Sequence, residues 1–369
     1  MTHYLLTGAT GVVGSAVLKR LLEKGCHVTL PVRAENSEVL ARRTSRLLDF
    51  INPAPRARER LFPVRADLLK PGLGMPRQTY DWVAGRITHI IHCAGNVRMT
   101  LDPCQAREQT LAMTRNMLAL MQAGRNVRKM EYISTVGVAG HTPGEIPETW
   151  LCHARTFRNS YEDAKSRAEE LIRKNVAQGL NITVHRPSMV VGDSRTGRVI
   201  RFQVFYYLCE FLSGALTRGW LPDLSRHHLD IVPSDYVADL ICWSSERETG
   251  LPPVLHASSG QNGSIRLDDL GNHVRKRFQA QGRKLPIPRQ LPVPLFTLAS
   301  TGLRVFAPAA VKRQLATLPV FLAYLATPQF FANDRTTELA GRDGIVLPRY
   351  QAYLEKVMEF YLNLKEKKA

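Results

Sequence analysis

The stretch Thr7-Gly8-Ala9-Thr10-Gly11-Val12-Val13-Gly14 constrains the fold of this chain more than any other. It follows the short apolar run His3 to Leu6 and opens a segment, Val12 to Lys24, whose apolar residues recur at helical spacing. In such a strand-to-helix turn, Gly8 permits the tight bend, Gly11 lets a ligand approach the backbone, and Gly14 lets the helix pack closely on the sheet. The unpaired N–H groups at the helix start, with the helix dipole behind them, make a seat for a pyrophosphate. Thr7, Gly8, Thr10, Gly11, Val12, Val13 and Gly14 are therefore candidate dinucleotide-binding residues.

The first half of the chain keeps that rhythm. Gly25 ends the first helix, and strands are predicted at Val28 to Val32, Leu61 to Arg65, Ile87 to Cys93, Met130 to Ser134 and Ile182 to His185. A long helix is predicted over Tyr161 to Gln178, closed by Gly179. Alternating strands and helices imply an α/β fold with a doubly wound parallel sheet of the Rossmann kind. After Gly192 the alternation fades, and a strand-helix pair returns at Leu229 to Ser244. The expected layout is an NAD(P)-binding domain of residues 1–192, rejoined by 229–260. Residues 193–228 and 261–369 would form a smaller, discontinuous, mainly helical C-terminal substrate-binding lobe. Pro286, Pro288, Pro292 and Pro294 mark an irregular connection, and Arg349 to Leu364 reads as an amphipathic helix.

The residue that ends the second strand selects the cofactor. A carboxylate about 20 residues past the glycines would hold the 2′-OH of NAD. Arg33 stands there instead, with Arg42 and Arg43 in the next helical stretch. A guanidinium suits a 2′-phosphate through paired, charged hydrogen bonds, which favours NADP(H), with NAD(H) as the alternative. Asp67, after the third strand, is a candidate partner for the adenine amino group, with Leu68 beside it. The other reading of Asp67 is a helix or turn cap.

Tyr161 and Lys165 form a YxxxK pair, which places both side chains on one face of a helix. The Lys165 ammonium is expected to lower the pKa of the Tyr161 phenol, which could then exchange a proton with a substrate oxygen. A third hydroxyl should meet the same oxygen from a strand C-terminal end, where open α/β sheets place their ligands. Thr135 is the candidate, and Ser134 is the adjacent alternative. The expected catalytic set is Thr135, Tyr161 and Lys165, with the last two also on the cofactor.

The glycine motif, His92-Cys93-Ala94-Gly95-Asn96, Ser134-Thr135, Tyr161-x-x-x-Lys165 and His185-Arg186-Pro187-Ser188 occur in the order found in extended short-chain dehydrogenases. Across residues 3–260 the chain resembles that superfamily, and within it the thioester reductase and fatty acyl-CoA reductase, or male-sterility-like, branch. Arg186-Pro187-Ser188-Met189-Val190-Val191-Gly192-Asp193-Ser194-Arg195-Thr196-Gly197 looks like the strand-loop signature of that branch. Asp230-Ile231-Val232-Pro233-Ser234-Asp235-Tyr236-Val237-Ala238 is similar to its later strand-helix junction, and threonine stands at the first catalytic position. The resemblance implies that Pro187 and Ser188 lie beside the nicotinamide. It also implies that Ala94 and Gly95, preceded by Cys93, line the ribose. The implied reaction is hydride transfer from NADPH to the carbonyl of a lipophilic or acyl-thioester substrate. A ketone, alcohol or lipophilic ring system is the alternative substrate, and a non-enzymatic NAD(P)-binding role is the other class. A carrier protein or CoA would bring the thioester. That branch often sits behind a carrier-protein or adenylating domain, neither of which is read in these residues, and the Cys-Ala-Gly-Asn motif departs from the more usual double alanine.

A net charge of +18 favours anionic partners, a dinucleotide or phosphopantetheine among them. The arginines are spread along the chain with no basic helix of interleaved aromatics, so no nucleic-acid partner is expected. Six cysteines without CxxC spacing read as reduced thiols, and the cofactor motif begins too near Met1 for a signal peptide, so a cytoplasmic protein is expected. His227, His228 and Asp230 lack a third ligand on a common face, His89 and His92 sit at opposite parity on a strand, and no metal is expected. Gln314 to Asn333 carries no charge. It reads as a buried helical segment or a lid on an apolar pocket rather than a membrane span. Within 286–333, Phe296, Phe330, Phe331 and their aromatic neighbours, edged by Arg304, Lys312 and Arg313, could also make peripheral contact with the inner face of a membrane.

Overall fold

A computed structural model describes residues 2–97, 99, 101–298, 324 and 328–366. Its centre is an all-parallel sheet of seven strands, numbered here along the chain: β1 (His3–Thr7), β2 (His27–Val32), β3 (Leu61–Arg65), β4 (His89–His92), β5 (Lys129–Ile133), β6 (Ile182–Pro187) and β7 (Val254–Ala257). The spatial order is β7-β6-β5-β4-β1-β2-β3, so the winding reverses between β1 and β4. That reversal opens the crevice where such sheets hold ligands. The expected doubly wound α/β sheet is therefore the observed one.

Both faces of the sheet are buried, which is why its strands read as continuous apolar runs. Adjacent residues of β1 serve opposite sides. Leu6 packs with Val17, Leu21, Val28, Ile133 and Ile241. Leu5 packs with Val83, Ile90, Met117, Met130 and Ile172. The first core is closed by the helices Val12–Glu23 and Ser234–Ser245, the second by Pro103–Ala123 and Ser160–Ala177. A third apolar cluster gathers Phe205, Leu212, Leu270, Phe278, Tyr353 and Val357 from elements after residue 200.

Chain punctuation follows local chemistry. Gly25 has φ 76° and ends the first helix, with Cys26 N–H donating to the Leu21 carbonyl. Gly179, at φ 97°, closes Ser160–Ala177 in the same manner. β4 is shorter than the predicted Ile87 to Cys93. Ile87 N–H still bonds back to Val83, capping the helix Arg77–Arg86, and Cys93 already turns into the loop.

Buried charges bind the layers together. Arg186 on β6 donates from Nε and Nη2 to the Glu169 carboxylate of Ser160–Ala177, at 3.0 and 2.6 Å. Its Nη1 reaches the Thr149 carbonyl and His256 of β7. His256 in turn meets the Ala332 carbonyl, so residues far apart in sequence close on one guanidinium.

Of the uncharged 314–333 stretch, residues 314–323 and 325–327 lie outside the described residues, as do Arg304, Lys312 and Arg313. Phe330 and Phe331 belong to a short strand, Gln329–Phe331, paired in parallel with Gly144–Ile146. Among the described residues no helix is long and apolar enough to cross a membrane, and no group of His, Cys, Asp and Glu could hold a metal. All six cysteines are free.

Candidate active site

The glycine loop leaves β1 and enters the helix Val12–Glu23 with Gly11 as N-cap, no side chain capping the first turn and no acidic residue within it. Those N–H groups are thus available to an anion. The loop tolerates no bulk. A Cβ on Gly8 would lie 2.6 Å from the Ala94 nitrogen, and one on Gly14 would lie 2.2 Å from the Gly8 oxygen. Thr7 ties the loop to the end of β4: its Oγ1 accepts the Ala94 N–H at 3.2 Å and lies 2.7 Å from His92 Nδ1. Burial, assisted by the Lys165 charge, lowers the His92 pKa to about 3, so this imidazole is neutral. Thr10 is exposed, Val13 is half-buried, and Val12 turns into an apolar core. The cradle therefore fits a dinucleotide pyrophosphate by shape and by its unpaired donors.

At the end of β2, Arg33 and Arg43 are both exposed, and Arg43 Nη1 donates to the Arg33 carbonyl at 2.5 Å. The Arg43 guanidinium thus lies against the backbone of Arg33. Asp67 lies at the end of β3 but is engaged in its own turn, its Oδ1 accepting the Leu69 N–H at 3.1 Å. The Leu68 carbonyl is held by Asn116 Nδ2. Cys93 is pushed up to about 12 by burial, so it stays a thiol. A Cβ on Gly95 would meet Lys165 Nζ at 3.4 Å, which puts this loop against the lysine. Ser188 N–H bonds to the Ala257 carbonyl. Asp230 accepts the backbone N–H groups of Ser259 and Gly260, while burial raises its pKa to about 6.

Thr135 and Tyr161 meet. The Thr135 hydroxyl faces the Tyr161 phenol and opposes the rise of its pKa, and Thr135 Oγ1 accepts the Gly137 N–H at 3.1 Å. The adjacent Ser134 is buried, and its Oγ has no hydrogen-bond partner among the described residues. Lys165 shares the helix face with Tyr161, but its Nζ donates to the Ile133 carbonyl at 2.8 Å and stands 4.8 Å from the Tyr132 ring centroid. The expected lowering of Tyr161 by Lys165 is corrected accordingly. Burial raises Tyr161 to about 12, the Glu162 charge adds to that rise, and the Thr135 hydroxyl opposes it. Lys165 itself is lowered to about 8 by burial.

Sequence reading missed the residues around this centre. Arg158, Glu162, Tyr324 and Gln329 converge at the start of the tyrosine helix. Arg158 Nη1 donates to the Gly140 carbonyl at 2.5 Å, and its Nη2 donates to Gln329 Oε1 at 2.7 Å. The one local signal is Asn159, the N-cap whose side chain accepts the Glu162 N–H at 3.0 Å. Such a cap-plus-glutamate pattern is readable in sequence. Its partners more than 160 residues away are not.

The family model described as male sterility protein, an NAD-binding family, matches residues 6–241. The chain is similar to isonitrile lipopeptide synthase of Streptomyces coeruleorubidus, with 30% identity over 72% of this chain and 18% of that protein. It is 28% identical to iterative polyketide synthase afoE of Emericella nidulans over 86% of this chain and 12% of that protein. The chain thus spans less than a fifth of the length of either relative. The terminal R domain from the myxalamid PKS-NRPS biosynthetic pathway superposes with a TM-score of 0.83 at 24% identity, covering 99% of this chain and 91% of that one. A thiolation-reductase di-domain from an archaeal non-ribosomal peptide synthetase gives 0.74 at 17% identity, covering 99% and 76%. At these identities the two structures establish a shared fold. The family match, by contrast, runs through the glycine loop, Arg33, Thr135 and the tyrosine helix. The chain accordingly belongs to the NAD-binding male sterility protein family, and it is an NAD(P)-dependent oxidoreductase of the extended short-chain dehydrogenase/reductase type.

Proposed function

We propose that this chain reduces the carbonyl of an acyl thioester, carried on CoA or a carrier protein, to an aldehyde with NADPH. The observation that carries the reading is the Thr135–Tyr161 hydroxyl pair at the end of β5. Two hydroxyls on one point are what a carbonyl oxygen requires as it gains negative charge. Support for the thioester comes from relatives named as polyketide and lipopeptide synthases, and from a structural neighbour that joins a reductase to a thiolation domain.

Bound NADPH supplies the hydride that goes to the carbonyl carbon. Tyr161, held as a protonated phenol by burial, gives its proton to the carbonyl oxygen. Thr135 accepts the Gly137 N–H, which leaves its own proton to steady that oxygen. The resulting hemithioacetal breaks its C–S bond, the hydroxyl proton passes to the sulfur, and thiol and aldehyde are released. In this reading Lys165, beside Gly95, holds a ribose hydroxyl. Arg33 and Arg43 favour a 2′-phosphate over a free 2′-hydroxyl. The third apolar cluster, most of it from residues after 200, belongs to the substrate-binding lobe in this reading, and its apolar character suits a lipophilic acyl chain.

The test is consumption of NADPH and of NADH against a panel of acyl-CoA thioesters, ketones and quinones, with the product identified by mass. Aldehyde from thioester with NADPH is the expected result. Turnover of ketones alone would keep the hydride chemistry and replace the substrate class. Sedimentation with anionic liposomes at low salt tests whether a lipid-borne substrate is met at a membrane surface.

A further inference from the structure

The Arg158–Glu162–Tyr324 cluster sits directly behind the catalytic pair, and the reaction as described does not use it. Glu162 is fully buried, unusual for a carboxylate, and follows Tyr161 in the helix. Its Oε2 accepts the Arg158 backbone N–H at 3.0 Å, and Oε1 lies 3.7 Å from Arg158 Nη1. Tyr324 faces the same carboxylate. The Tyr324 ring carries the Arg158 guanidinium at 4.9 Å, and its hydroxyl accepts from Asn159 Nδ2 at 3.3 Å.

On its other side the carboxylate presses on the turn that carries Thr135. A Cβ added to Gly137 would lie 3.1 Å from both Glu162 Cγ and Oε1. The N–H of that glycine orients Thr135 Oγ1. The far end of the same turn, the Gly140 carbonyl, accepts from Arg158 Nη1 at 2.5 Å and from Gln329 Nε2 at 2.9 Å. One buried ion pair therefore holds the Val136–Ala139 turn at both ends.

We infer that Glu162 is a positioning residue: clamped by Arg158 and Tyr324, it sets the Gly137 turn so that the Thr135 hydroxyl meets Tyr161. Tyr324 thereby becomes a residue of the active centre. The inference rests on Tyr161 as proton donor. The groups that face the Glu162 carboxylate are Arg158, His141 and Tyr324. Those that face Tyr161 are Glu162, Thr135 and Tyr132, with Lys165 held off on the Ile133 carbonyl. Burial is the larger cause that keeps the phenol protonated, and the Glu162 charge adds to it.

The test compares Glu162→Gln, Tyr324→Phe and Tyr161→Phe with the wild type in steady-state reduction across pH. Glu162→Gln keeps the shape and removes the charge. Its kcat should fall about tenfold with cofactor KM nearly unchanged. The alkaline decline of kcat should also begin at lower pH than in the wild type, a change that loss of packing alone does not produce. Tyr324→Phe keeps the ring over Arg158 and removes the hydroxyl. It should lower kcat about fivefold, again with little change in cofactor KM. Wild-type kcat in both variants, or a lower kcat in Glu162→Gln with an unmoved alkaline limb, overturns the inference while leaving the proton-donor reading standing. If Glu162→Gln is not recovered folded, Tyr324→Phe decides: a wild-type kcat there overturns the inference, and a selective fall supports it. Undiminished turnover by Tyr161→Phe overturns the proton-donor reading, and this inference with it.

Discussion

Lys165 donates to the Ile133 carbonyl across 2.8 Å, which ties the tyrosine helix to the end of β5 and parks a buried ammonium beside the cofactor crevice. Burial lowers that ammonium from 10.5 to about 8. Above about pH 8 the group loses its charge, so the cofactor KM should rise there while kcat changes less. Lys165→Met should raise the cofactor KM at every pH and abolish the break. Because the folded pKa lies below the unfolded one, this group adds stability as pH rises from about 8 towards 10.5. A cofactor KM that is flat across pH 7–9 would count against the assignment.

Thr135 and Ser134 are adjacent and chemically alike, yet their environments separate them. Thr135→Ala should cut turnover by about 10–100-fold. Ser134→Ala removes a buried hydroxyl without a partner, so it should leave turnover near the wild type and the thermal midpoint equal or higher. Tyr161→Phe should cost about 10²-fold in turnover with cofactor affinity nearly unchanged. Steady-state kinetics on the three purified variants distinguishes these outcomes.

Arg33 tests cofactor choice. Arg33→Ala should weaken NADPH binding by roughly tenfold or more and NADH binding far less, since only NADPH brings a phosphate to pair with it. Arg43→Ala should have a smaller effect in the same direction, because that side chain also supports the Arg33 carbonyl. Fluorescence titration of both reduced cofactors reads the difference, and equal losses for the two would sink the NADPH preference.

The glycine loop predicts a graded series. Gly14→Ala places a methyl 2.2 Å from the Gly8 oxygen, a backbone atom that cannot give way without moving the loop. It should lower the thermal midpoint by several degrees and abolish measurable cofactor binding. Gly11→Ala meets the same oxygen at 3.2 Å and should be milder on stability while still weakening the cofactor. Thermal denaturation with and without cofactor ranks the two.

What could be read from the sequence was what short-range geometry imposes. Gly11 and Gly14 meet their steric limits at Gly8 inside the same loop, and Tyr161 and Lys165 share a face through helical periodicity alone. β2 and β3 ended close to prediction because turn residues bound them. Long-range partners were illegible. Nothing near Lys165 in sequence points to Ile133, 32 residues away, and nothing in Asn159 points to Tyr324, 165 residues away. β7 was hidden for a different reason. Its four residues, three of them apolar, lie between Pro253 and Ser258, too short a run for periodicity to mark.

β7 is also the last strand of the sheet to be synthesised, and it pairs with β6 alone, at the edge. Until residue 257 has emerged from the ribosome, β6 presents an open row of amide and carbonyl groups, and Arg186 lacks the His256 that completes its setting. An exposed strand edge of this kind invites pairing with other chains. Nascent chains arrested before Val254 should therefore be protease-sensitive and held by chaperones, and those arrested well beyond Ala257 should escape both. The order of translation thus makes the closing of this sheet a late and nearly single event.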